Sequence, residues 1–442
     1  MRYLYNFFYL ALLLLFSPWL IYQAIAKGKY RQGWGEKIWG HVPVLPPLKE
    51  ENGRGASSAF SGGTLIDKRI WVHAVSLGEV QLLGALLKEF EQKYPTWEIV
   101  ISTTTKTGYD TAKKKYPHRT VFYCPIDFSW AVKTAMQRIK PDLLLLAELE
   151  IWPNLITAAK EVGAGVAIVN GRLSEKSLRG YQRIRFLLSP ILNQFDLIAV
   201  QNENYGKRFA ALSDQKLPIE VTGSLKFDGA QTDRTNSQTV ALKKAFGITE
   251  NETIFLAGST QSPEEEYALA TFLSVRKEFP KLRLLLVPRH PHRFDIVADL
   301  LEKSDVNYCR RSTVAIGEVA PSDWEVLLVD TVGELGAWWG VADIGFVGGS
   351  MGSRGGQNMI EPAAYGVALC FGPNTKNFQE IVELLLDSKG AVVVNDRAEL
   401  EVFLRKVVSD DHFAKGLGEQ ARSIVYQNLG AAAKTAAAIE RL

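Results

Sequence analysis

The chain has 442 residues, 47% apolar and 22% charged, with only three cysteines; this excludes a disordered, collagen-like or disulfide-scaffold protein. Lys plus Arg number 51 and Asp plus Glu 48, so the formal charge of +3 leaves no electrostatic footprint for nucleic acid. At roughly 150 residues per domain, the length fits two or three domains, each able to bury its own core. Cys124, Cys309 and Cys370 are widely spaced and form no C-x-x-C pair, which points to a reducing compartment and away from a cysteine-rich metal site.

In chain order, residues 4–26 come first, an uncharged run rich in Leu, Phe and Tyr. About 20 apolar residues are the length of a membrane helix, although Asn6, Ser17, Pro18 and Gln23 interrupt this one. Arg2 precedes the run, whereas Lys27, Lys29, Arg31 and Lys37 follow it. By the positive-inside rule this predicts a membrane anchor over residues 1–27, with the remaining chain on the cytoplasmic side. Residues 50–63, rich in Gly and Ser, are expected to form a loop. Short Val/Ile/Leu-rich runs then recur at 70–74, 99–102, 143–147, 166–169 and 197–201, with helical patterns between them at 81–93 and 130–139. A second series lies at 253–257, 282–287, 326–329, 344–347, 368–371 and 391–394. Strands alternating with helices mean βαβ units and parallel sheets. Residues 229–238 are polar and aperiodic. The expected organisation is therefore an α/β domain over 28–228, a linker at about 229–250, and a second α/β domain within 229–442. Both domains read as doubly wound and Rossmann-like, with ligands at the carboxyl ends of their strands and a central cleft.

The chemistry-bearing residues fall at those strand ends. Ser76-Leu77-Gly78-Glu79 follows the first strand. It reads either as a capping box or as the seat of a general base, since a carboxylate there can accept a hydroxyl proton. Glu148 and Glu150 end another strand, and alternation sends both carboxylates to one side. Lys226 lies just before the linker as a possible partner for a carboxylate or phosphate, or as a solvated cation. Pro288-Arg289 follows a strong strand, and an Arg there suits a phosphate. Val332-Gly333-Glu334 opens a helix. Residues 348–356 hold five glycines, so backbone N–H groups can approach an anion. Asn358-Met359-Ile360-Glu361 comes next, where the carboxylate either accepts ribose hydroxyls or starts a helix. The glycine pattern is neither the dinucleotide fingerprint nor a Walker loop. His290 and His292 lack a nearby third ligand, so no metal is expected there.

The segments HAVSLGEV, PIDFSWAV, AELEIWPN, NGRLSEKSLRGY, VTGSLKFD, AGSTQSPEEE, LVPRHPHR, DTVGELGAWW and GFVGGSMGSRGGQNMIEPAAYG occur in that order. Together they resemble the 3-deoxy-D-manno-octulosonic acid (Kdo) transferases of lipopolysaccharide synthesis, over nearly the whole chain. The resemblance implies a two-domain GT-B glycosyltransferase with an N-terminal anchor in the inner membrane, an acceptor-side N-terminal domain and a CMP-sugar-binding C-terminal domain. It implies transfer of Kdo, with inversion, from CMP-Kdo to the tetraacyl disaccharide lipid A precursor, with no cofactor and no metal. Glu79 is then the general base, with Glu148 and Lys226 as a charge-stabilising pair. CMP is then held by Pro288, Arg289, Val332, Gly333, Glu334, Asn358, Met359, Ile360 and Glu361. Two other readings stay open on the residues: a sugar-nucleotide epimerase of the same fold, and a non-catalytic, membrane-anchored nucleotide-sugar binder.

Overall fold

The structure, a computed structural model, describes residues 2–27, 32–46, 48, 60–61, 64–315, 317–321 and 323–442. Most of the expected loop at 50–63 and part of the basic segment after residue 27 lie outside the described residues. The chain divides into two units. One comprises Met1–Gly229 with Leu429–Leu442, the other Ala230–Asn428.

The first unit is built on a seven-stranded sheet of β1 (Lys68–His73), β2 (Trp97–Thr103), β3 (Val121–Tyr123), β4 (Leu143–Ala147), β5 (Gly165–Gly171), β6 (Leu197–Val200) and β7 (Ile219–Val221). All its pairings are parallel, in the order β3-β2-β1-β4-β5-β6-β7. Period-2 alternation divides each strand between two cores. Trp71, Val100, Leu144, Leu146 and Ile168 pack on one face; Ile70, Val72, Ile101, Leu145 and Val169 pack on the other. Each such side chain, fully buried, contributes roughly 1.5–3 kcal/mol. The expected strands at 70–74, 99–102, 143–147, 166–169 and 197–201 all form. The edge strands β3 and β7 are additions, each three residues long.

The C-terminal helix Ala431–Glu440 belongs to this first unit, not to the second α/β domain, 229–442, in which the sequence reading placed it. Its Ala436 and Ile439 join the core around Ile70 and Val72. Asp228 caps its start, accepting the N–H of Gly430 at 2.6 Å and that of Ala432. Carboxylate and helix N-terminus are an electrostatically matched pair.

The second unit carries β8 (Thr253–Thr260), β9 (Leu282–Pro288), β10 (Tyr308–Arg310), β11 (Val326–Leu328), β12 (Ile344–Val347), β13 (Ala368–Phe371) and β14 (Ala391–Val393). These form a second parallel seven-stranded sheet in the order β10-β11-β9-β8-β12-β13-β14. Residues 237–245, within the expected linker, instead form a helix of this unit, capped by Asn236. Its buried Thr239 bonds the carbonyl of Ala337.

The expected N-terminal helix spans Arg2–Lys27. Its early turns are tied to the first unit by polar side chains. Asn6 bonds Ser129 and Asn154, and the Tyr9 hydroxyl donates to Asp127 at 2.9 Å. Further along, Leu14, Leu15 and Phe16 are exposed. Among the described residues, no helix is long and apolar enough to cross a membrane.

Candidate active site

In the first unit, Glu79 sits in the helix Leu77–Leu82, which opens just beyond β1. Ser76 is the N-cap. Its hydroxyl accepts the Glu79 N–H at 3.5 Å and donates to Glu79 Oε1 at 3.0 Å, while Oε2 accepts the N–H of Val75 at 2.7 Å. The capping reading of S-x-x-E is therefore realised, with the carboxylate reaching one residue behind the cap. The same carboxyl is pushed up to about 7, mainly by burial. The Val75 N–H opposes that shift, and the charges of Glu150 and Glu148 add to it. A carboxylate poised near neutrality suits general-base work. Capping geometry and a raised proton affinity thus coincide on one side chain, since hydrogen-bond donors fix the geometry while burial sets the proton affinity.

Glu148 follows β4, the neighbour of β1. Its φ of +56° is left-handed, a strained setting for a residue with a Cβ. Its N–H donates to the Val169 carbonyl at 2.9 Å. Glu150 accepts the Trp152 indole N–H at 2.7 Å. Burial chiefly raises its carboxyl and the Glu148 charge adds to this, while the indole bond works the other way. Glu150 is a member of the carboxylate cluster beside Glu79; the E-x-E spacing carried that signal.

The rest of the E-x-W-P-N motif is scaffolding. Pro153 begins the helix Pro153–Glu161. The N–H groups of Asn154 and Leu155 donate to the Asp127 carboxylate at 3.0 and 2.7 Å. Burial pushes that carboxyl up to about 7. Sequence spacing gave no sign that PIDFSWAV and AELEIWPN close on each other through Asp127.

Lys226 lies beyond β7, after a turn at Gly223 whose φ is +95°. A Cβ at Gly223 would stand 3.2 Å from the Ala431 Cβ. Lys226 is half-buried, and among the described residues it has no ion-pair partner.

In the second unit, Pro288 ends β9 and Arg289 follows, exposed, its N–H on the Thr260 carbonyl at 3.0 Å. Arg289 lies near Glu361. Burial raises that carboxyl, while the Asn358 amide and the Arg289 charge pull it back. Asn358 bonds Glu361 Oε1 through Nδ2 and the Ile360 N–H through Oδ1, each at 3.0 Å. Met359 and Ile360 are buried, so a ligand would meet their backbone and not their side chains. Val332 is 78% exposed, and Gly333 adopts a φ of +95°. The Glu334 carboxylate is held by Arg311 in a two-pronged pair at 2.9 and 3.0 Å and by the Thr331 hydroxyl at 2.8 Å. It therefore fixes its loop and is already engaged.

The glycine-rich loop departs from expectation. Its leading N–H groups already hold an anion, the buried Glu264 carboxylate. Glu264 Oε2 accepts from Gly349 at 2.7 Å and from Gln261 at 2.9 Å; Oε1 accepts from Ser350 and Met351, each at 2.9 Å. A Cβ on Gly348 would lie 2.7 Å from the Thr260 Cα and 2.9 Å from Glu264 Oε2. Close packing on β8 thus explains that glycine. Positive charge gathers beside the loop instead. Burial, then Arg289, His292, Arg354 and Arg293, lower the affinity of His290 for a proton. Arg293 is committed to buried Glu265 at 2.8 Å. Among the described residues, no group of three or more His, Cys, Asp or Glu side chains is placed to hold a metal ion.

Two parallel seven-stranded sheets, one in each unit, define a GT-B-like fold. A solved UDP-N-acetylglucosamine 2-epimerase homologue from Listeria monocytogenes shares it with a TM-score of 0.54 at 11% identity, covering 84% of this chain and 95% of that one. Residues 43–229 match the family described as 3-deoxy-D-manno-octulosonic-acid transferase (kdotransferase). The 3-deoxy-D-manno-octulosonic acid transferase of Haemophilus influenzae is 31% identical over 436 residues, 97% of this chain and 96% of the relative. That of Chlamydophila psittaci is 29% identical over 90% of this chain and 86% of the relative. The chain belongs to the Kdo transferase family and is a glycosyltransferase.

Proposed function

We propose that this glycosyltransferase moves Kdo from CMP-Kdo to a hydroxyl of the tetraacyl disaccharide lipid A precursor, with inversion, in lipopolysaccharide synthesis. Family membership supports the Kdo donor. The observation that carries the mechanism is the Glu79 carboxyl, raised to about 7 within a cluster of carboxylates at a strand end. In this reading, Glu79 takes the proton from the acceptor hydroxyl as its oxygen bonds the anomeric carbon. The bond from that carbon to the CMP phosphate oxygen breaks, and CMP leaves with the electron pair. Direct displacement inverts the carbon and requires no nucleophile on the enzyme. Glu148 and Lys226 balance the charge that develops during transfer. Arg289 faces the phosphate, with Pro288, the backbone of Val332 and Gly333, the loop held by Glu334, and the Asn358–Met359–Ile360–Glu361 turn completing the CMP site. Fixed donors and charges aimed at the developing anion are the largest lever available to such a site.

We also propose that the helix Arg2–Lys27 holds the enzyme at the cytoplasmic face of the inner membrane. Supporting this are the exposed Leu14, Leu15 and Phe16 and the basic flank of the sequence. A lipid acceptor is confined to that surface, so anchoring raises its effective concentration. The test of function is transfer by purified enzyme supplied with CMP-Kdo and lipid A precursor. A Kdo-bearing lipid is expected with wild type and none with Glu79→Ala. Undiminished transfer by the Ala variant would remove the base assignment.

A further inference from the structure

The end of β5 carries two consecutive residues that touch the backbone around both members of the proposed charge pair. The Val169 carbonyl accepts the Glu148 N–H at 2.9 Å. The next residue, Asn170, is completely buried, and its Oδ1 accepts the N–H of Leu225 at 3.0 Å. Leu225 immediately precedes Lys226. Asn170 is itself held, since its carbonyl accepts Gln201 Nε2 at 3.0 Å from the end of β6.

Asn170 also carries visible cost. Its φ is +57°, a left-handed conformation that Asn tolerates better than most residues but that still carries strain. Its Nδ2 is buried without a protein partner. Local packing alone would favour glycine at such a backbone angle. A residue kept there despite these costs has its acceptor oxygen in use, and that oxygen holds the peptide next to Lys226.

We infer that Asn170 is a positioning residue for sugar transfer, splinting the Lys226 segment to the strand end that also holds Glu148. The inference rests on the proposed roles of Glu148 and Lys226. It is tested with the full chain by a cycle of Asn170→Gly and Lys226→Ala. Glycine keeps the left-handed backbone accessible and removes the side chain that holds the Leu225 N–H. In otherwise wild-type enzyme, Asn170→Gly is expected to lower kcat about tenfold, with KM for CMP-Kdo and the calorimetric affinity for CMP unchanged. In Lys226→Ala enzyme, whose residual turnover is followed over hours, the same change is expected to cost less than about twofold, because the group being positioned is gone. Wild-type kcat in Asn170→Gly, a loss expressed in KM, or equal losses in both backgrounds would overturn the inference. Gln201→Met, which removes the bond that holds the Asn170 carbonyl, carries the same cycle if the glycine variant does not fold. Failure of the underlying functional reading is recognised separately, as absence of Kdo transfer by the wild-type enzyme.

Discussion

Replacing Glu150 with Gln probes the origin of the Glu79 basicity without touching Glu79. Burial is the main cause of the rise to about 7, and the Glu150 charge is the larger of the two carboxylate contributions. If transfer needs ionised Glu79, wild-type kcat/KM is half-maximal near pH 7 and falls to about a tenth at pH 6 and about a hundredth at pH 5. With Glu150→Gln, one like charge disappears and the acidic limb moves to lower pH. The ratio of kcat/KM at pH 6 to that at pH 8 therefore rises above the wild-type value, whatever happens to the absolute rate. The assay is initial-rate Kdo transfer across about pH 5 to 9, at saturating lipid and limiting CMP-Kdo. The linkage sign supplies an independent check. A carboxyl raised in the fold stabilises it below the unfolded value of 4.5, and that contribution is lost as pH rises through about 7. Glu79→Gln stays neutral throughout, so its melting temperature should gain on that of wild type between pH 5 and pH 8. A limb centred near 4.5, or one that ignores Glu150→Gln, would refute the reasoning.

Arg289→Ala is expected to weaken CMP binding by roughly 10- to 100-fold, the worth of one charged hydrogen-bonding group, with an unaltered melting temperature; calorimetry and thermal melts check this. Glu264→Gln places an amide NH₂ against the N–H groups of the glycine-rich loop. Two of its four backbone donors are left unpaired, so unfolding free energy should fall by roughly 2–6 kcal/mol in a denaturant titration. Paired Asn6→Ala and Tyr9→Phe changes remove the Asn6 and Tyr9 ties of the N-terminal helix, and faster hydrogen exchange over residues 2–27 should follow with the sheets unaffected. Deleting residues 2–27 should shift the enzyme from the membrane to the soluble fraction on cell fractionation.

Legibility in the sequence followed the length and periodicity of each element. Buried central strands such as Leu143–Ala147 announce themselves as unbroken apolar runs. The edge strands Val121–Tyr123, Ile219–Val221 and Tyr308–Arg310 have three residues each, too few to show a period. The helix Ser237–Ala245 begins in polar sequence, and its anchoring Thr239 bond is made to Ala337, far along the chain. The return of Ala431–Glu440 to the first unit depends on Asp228, about 200 residues earlier, so nothing local reports it. At the site, strand ends located Glu79, Glu148 and Arg289 because ligand loops of parallel sheets lie there. The partners of the candidate site residues were hidden for the same reason as the helix return. Arg311 occupies Glu334, Glu264 fills the glycine-rich loop, and Asn170 reaches Leu225, each through a side chain distant in sequence.

The most direct test of the central claim is mass spectrometry of the lipid product. Purified enzyme in detergent receives CMP-Kdo generated in situ and the tetraacyl lipid A precursor, with Glu79→Ala run alongside. The account predicts a lipid heavier by one or more Kdo units from the wild-type enzyme, none from Glu79→Ala, and equal CMP affinity for both. An unmodified lipid with CMP-Kdo consumed only at the background rate, or an equally active Ala variant, would contradict it.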